Sequence, residues 1–127
     1  MRSIEQTYTI KAPIEKVWLA LTDANTAEKW GAGPAKVDAE VGGEFSYWDG
    51  DIHGKFTKIE PNKLIEQDWY GHDHPDHKYK VTFEIKGDEE KTTVHFLHED
   101  IPDSDEDDWE AGWKDYYFDP IKELLEK

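Results

Sequence analysis

Cysteine is absent from the 127 residues. That removes disulfides, thiolate metal ligation and cysteine nucleophiles together. Serine is scarce: Ser3, Ser46 and Ser104 are the full set, and none stands in a Gly-x-Ser-x-Gly elbow. Phosphate-cradling glycine loops and dinucleotide fingerprints are missing too. No apolar run approaches membrane-spanning length, and the opening MRSIEQTYTI lacks the apolar stretch of a secretory signal; a cytoplasmic protein is the expectation. Positive charge is in short supply, with 15 Lys and Arg against 30 Asp and Glu and a formal charge of −15. Such a field repels phosphate, so neither nucleic acid nor an anionic membrane is expected as a partner.

Aromatic residues are plentiful instead: six Trp, six Tyr and five Phe. A chain of this length is expected to form one domain over 1–127, with a core built of bulky rings. SIEQTYTI alternates and reads as a first strand. The period then changes, because Ile14, Val17, Trp18 and Leu21 share one helical face behind Pro13, which suits a first turn. A second short helix is predicted from an Asp23 or Asn25 cap to Trp30, ended by Gly31-Ala32-Gly33-Pro34. From Lys36 to His98 the pattern is a meander of strands. Gly42-Gly43 marks a bend, Asp49-Gly50 a hairpin, and Pro61-Asn62 a turn. Tyr79, Val81, Phe83 and Ile85 alternate with polar residues as in a strand with one buried face.

The last third changes character. EDIPDSDEDDWE holds eight acids in twelve residues. Beyond it, Trp109, Trp113, Tyr116, Tyr117, Ile121 and Leu124 mark one face of a long amphipathic helix, which Pro120 should kink. Strands grouped in sequence and flanked by helices imply an α+β fold: an antiparallel sheet of about six strands, covered on one face by the terminal helix.

Several phrases, in order and over nearly the whole chain, carry a resemblance. They are IKAPIEKVWLALTD, Lys29-Trp30, VGGEF at 41–45, GKFTKIEPNKLIEQDW at 54–69, TTVHFLH and Gly112-Trp113. Together they resemble the family of the activator of heat shock protein 90 ATPase, within the START and birch-pollen-allergen superfamily. The resemblance implies a helix-grip fold of six or seven strands curled around the C-terminal helix, with a cavity between them. It also implies either a hydrophobic or amphipathic small ligand or a chaperone partner in the stress response, and some relatives in the superfamily are cyclases or hydrolases. The eukaryotic co-chaperone is similar only in its C-terminal domain.

Given such a cavity, Trp30, Phe45, Tyr47, Phe56, Trp69, Phe83, Phe96, His98, Trp113 and Tyr117 are the candidate ligand-binding residues. Rings provide contact area, while Tyr47, Trp69, His98 and Tyr117 provide polar tips. A regular strand over 43–49 would put Phe45 and Tyr47 on one face and Trp48 on the other. A non-enzymatic binding domain without cofactor, as monomer or homodimer, is the leading expectation. An acid–base site would have to draw on Glu66, Asp68 and His98. The histidines of GHDHPDH at 71–77 have no spacing that would fix a metal and read as a solvated loop. Asp103, Asp105 and Asp107 imitate a calcium loop, but Asp108 stands where glycine is required and Lys114 where the bidentate acid belongs. A solvated helix start is expected there.

Overall fold

A computed structural model describes residues 2–50, 52–71, 78–101 and 109–126. The His-rich stretch 72–77 and most of the acidic run, 102–108, lie outside the described residues. The chain begins with β1 (Arg2–Ile10), α1 (Ile14–Thr22) and α2 (Ala24–Trp30). Six strands follow: β2 (Lys36–Val37), β3 (Glu44–Tyr47), β4 (Ile52–Glu60), β5 (Leu64–Gly71), β6 (Tyr79–Gly87) and β7 (Thr92–Ile101). The strands form one curved antiparallel sheet in the order β1-β7-β6-β5-β4-β3-β2. The meander therefore runs from β2 to β7, and β1 closes against β7 with Tyr8 opposite Val94.

Local chemistry explains the helical connection between the two sheet edges. The Asp23 carboxylate caps α2, accepting from the Thr26 N–H at 3.0 Å and the Thr26 hydroxyl at 2.8 Å, and so satisfies a donor that has no partner within the helix. Gly31 ends α2 with φ of 110°, a left-handed conformation that glycine adopts without strain. The Trp30 indole donates to the Ala20 carbonyl at 3.0 Å and locks the two helices together. The bend expected at Gly42-Gly43 is present. The Gly42 N–H donates to the Phe56 carbonyl, and the Phe56 N–H donates back to Gly43; a Cβ at Gly43 would run into the Asp38 carbonyl.

The terminal helix departs from the uniform α-helix that its spacing predicts. It consists of α3 (Trp109–Gly112), a π-helical segment over Trp113–Phe118 and α4 (Asp119–Leu125). The Asp119 N–H donates to the Lys114 carbonyl, five residues back. Pro120 is the physical reason: it has no N–H, and in a regular helix its ring would press on the carbonyl four residues earlier. A widened turn relieves that clash, as π-bulges do. The buried face shifts with it. Phe118 is fully buried, whereas Tyr116, expected on that face, is 71% exposed.

Phe118 stacks on Tyr8 of β1 with centroids 4.1 Å apart and also meets Phe96 at 5.4 Å. Truncating Phe118→Ala should therefore destabilise the fold by about 3–5 kcal/mol in denaturant unfolding. Tyr116→Ala should change stability by no more than about 0.5 kcal/mol. The opposite ranking would restore the uniform helix.

Candidate functional site

The concave face of the sheet carries the ring residues of alternate strand positions, and the terminal helix lies against them. Phe45, Phe56, Phe83 and Phe96 are at most 2% exposed. They meet in pairs, Phe45 with Phe56 at 5.5 Å and Phe83 with Phe96 at 5.4 Å. Trp30 packs against Tyr117 at 4.8 Å and Tyr47 at 6.0 Å. These residues build the packed interior. An open groove of about 280 Å³ lies at one end of the helix.

Three sides form this groove. Trp48 comes from the β3–β4 turn, Ile52 from the start of β4, Trp69 from β5, and Trp109, Gly112, Trp113, Tyr116 and Tyr117 from the helix. Of the ten candidate residues, Trp69, Trp113 and Tyr117 thus line the groove. His98 lies beneath it, buried, with its ring 5.0 Å from Trp109 and its Nδ1 accepting the Trp113 indole N–H at 3.0 Å.

Trp48 does not point away as a regular strand would require. β3 ends at Tyr47, and Trp48, Asp49 and Gly50 have φ of 52°, 57° and 91°. Positive φ is a rare and strained state for a bulky side chain. Here it swings the indole back over the concave side, 6.1 Å from both Trp30 and Tyr47. Three bonds hold the turn. The Trp48 indole donates to the Gly31 carbonyl at 2.8 Å, and the N–H groups of Trp48 and Asp49 donate to Ala32 and Pro34.

Gln67 escaped the sequence reading. It is fully buried on the apolar face of β5, and its side-chain oxygen accepts the Trp69 indole N–H at 2.5 Å. The signal was present in the alternation Ile65, Gln67, Trp69. The Gln67 Nε2 and the Tyr47 and Tyr117 hydroxyls are buried without a hydrogen-bond partner. The two hydroxyls face each other, and their interaction lowers the Tyr47 phenol and raises that of Tyr117. Burial, the larger effect, pushes both phenols well above their ordinary acidity range.

The acid–base trio is not brought together. Glu66 and Asp68 alternate with the buried Gln67 and Trp69 and so occupy the outer face of β5, where Glu66 accepts from Thr57. His98 is on the inner face. His95 takes the outer face of β7, 3.4 Å from Glu5 and 3.6 Å from Glu84. Among the described residues no group of three acids or histidines is placed to hold a metal ion. No helix of the described residues is long and apolar enough to cross a membrane.

The arrangement has known counterparts. The crystal structure of an HSP90 activator from Plasmodium falciparum superposes with a TM-score of 0.87 at 29% identity, covering 99% of this chain and 97% of that one. The solution structure of the Aha1 dimer from Colwellia psychrerythraea gives 0.79 at 26% identity, covering 99% and 97%. The human activator of 90 kDa heat shock protein ATPase homolog 1 is 28% identical over 87% of this chain and 33% of its own length. The chain spans about a third of the length of the curated relatives it matches. Residues 11–126 match the family described as activator of Hsp90 ATPase homolog 1-like protein, and the chain belongs to that family.

Proposed function

We propose that this chain works as a non-catalytic interaction domain, in one unit and in the cytoplasm, whose partner is a chaperone ATPase of the Hsp90 type. The observation that carries the reading is the near full-length likeness to the Plasmodium falciparum activator, in sequence and in shape. Filled packing of the interior rings agrees with it, since a docking domain needs a rigid body rather than a hollow one. The acidic stretch 99–110 supplies negative charge that a basic chaperone surface would recognise.

The test is the ATP turnover of the Hsp90-type chaperone of the same host, measured with and without the purified chain. Stimulation that weakens as salt is added is the expected result. Replacing Asp105, Asp107 and Asp108 by Asn should weaken it further and flatten its salt dependence. Unchanged turnover, together with no chaperone retained on the immobilised chain, defeats the reading.

A second reading rests on a separate observation, the open groove with four tryptophans in its walls. Its volume of about 280 Å³ is near the lower end of small-molecule sites, roughly 300–1,000 Å³. Its lining suits a small apolar or amphipathic ligand. Native mass spectrometry of protein taken from its own host should show a bound amphiphile, released by Trp109→Ala. A spectrum of bare protein, and no quenching of indole fluorescence by added amphiphiles, would remove this reading.

A further inference from the structure

Among the described residues that line the groove, six of eight are Trp or Tyr: Trp48, Trp69, Trp109, Trp113, Tyr116 and Tyr117. Three of the four indole N–H groups are engaged elsewhere. Trp48 donates to the Gly31 carbonyl at 2.8 Å, Trp69 to Gln67 at 2.5 Å and Trp113 to His98 at 3.0 Å. Their donor edges are used by the fold, and what these rings offer a guest is carbon and π surface. Trp69, Trp113 and Tyr117 are inclined to one another by 50° to 62°, with centroids 4.8 to 6.3 Å apart. Rings set as a corner, unlike rings in a parallel stack, can turn several faces toward one point. Each such face carries partial negative charge, and the surroundings add to it. Asp49 follows Trp48, Glu110 follows Trp109 and Asp115 precedes Tyr116, all three exposed. Asp51 and Asp108, which adjoin Ile52 and Trp109 outside the described residues, are acids as well. Lys114, the base on this stretch of helix, is exposed and pairs with Asp119 at 2.9 Å.

Resting on the reading of the groove as a ligand site, we infer that it takes a small organic cation with a methylated head, a quaternary ammonium. Ring faces attract such a head through their quadrupole, most strongly where water is displaced. Its methyl groups make apolar contact with the indoles and carry no N–H that would need an acceptor from the wall. A primary ammonium brings three donors that ring carbon does not satisfy, so it loses more on leaving water. An anion would meet ring faces and neighbouring acids of its own sign, on a chain with a formal charge of −15. Gln67 and His98 act as positioning residues, since each holds one indole of the corner from behind. Tyr116, 71% exposed, and the partly buried Trp109 form the outer wall.

Proton NMR titration with choline and with 3,3-dimethylbutan-1-ol, read on the indole N–H resonances, tests the assignment. The two probes share shape and hydroxyl and differ in the charge at the branched centre. In about 0.15 M salt, attraction between exposed charges is screened beyond roughly 8 Å. Choline should then bind the unmodified chain about tenfold more tightly than the neutral probe, and more tightly than ethanolamine, its primary ammonium counterpart. Tyr116→Leu and Trp109→Leu keep apolar surface but remove a ring, and each should cut the choline preference at least about threefold. Equal affinity for choline and the neutral probe, or a choline preference unchanged in both Leu variants, overturns the cation assignment and leaves the groove standing as a site. Ethanolamine binding as tightly as choline overturns the methylated head. If no probe binds the unmodified chain, the site itself is removed. The exposed Tyr116 side chain can be replaced without disturbing the core, and the comparison among probes on the unmodified chain decides the matter even if Trp109→Leu does not fold.

Discussion

The structure depends on how the indole of Trp113 is held. Its ring is 4% exposed and sits 4.3 Å from Phe96, 4.8 Å from Trp69 and 4.9 Å from Tyr117, and its N–H is donated to the buried His98. Apolar contact and one directional bond thus act at the same place, where the terminal helix meets the middle of the sheet. Apolar burial alone is indifferent to small rotations of a helix. A buried donor with a single acceptor is not, because leaving it unmatched costs about 1–3 kcal/mol. That bond sets the rotation of the helix and, through it, which rings face inward and which border the groove.

The π-helical segment follows from a conflict within this clamp. Trp113 fixes the start of the segment, Pro120 forbids an ordinary turn beneath it, and Phe118 has to reach Tyr8 and Phe96. One wide turn accommodates all three demands. It also leaves Tyr116 standing at the groove edge rather than under the helix. A feature forced by proline chemistry in the backbone therefore shapes the only wall of the groove that the helix supplies.

Membership of the activator family and the packed interior bear on function differently. The family places the chain among proteins named for acting on a chaperone, whereas a fold by itself is compatible with many activities. The interior rings are buried, and an open groove lies beside them at one end of the helix. A rigid body with an aromatic notch can serve a protein partner and a small molecule at once. The two readings meet at Trp109, which belongs both to the stretch 99–110 and to the groove wall.

Much of this was legible in the chain itself. Alternation in Tyr79–Ile85, the Asp23 cap and the Asn62 turn are local properties, set by side-chain periodicity and by the few residues that tolerate a given backbone angle. They sufficed for the meander of strands after Lys36 and for the helices on either side of it. What the chain could not show was anything that depends on a second segment closing in space. Trp48 faces the groove because Gly31, Ala32 and Pro34 hold its turn in a left-handed state. Phe118 replaces Tyr116 because β1 offers Tyr8 to stack on. Periodicity assumes a regular backbone, and in both places long-range contacts stabilise an irregular one; that is why tertiary structure alone decided which tryptophans surround the open space.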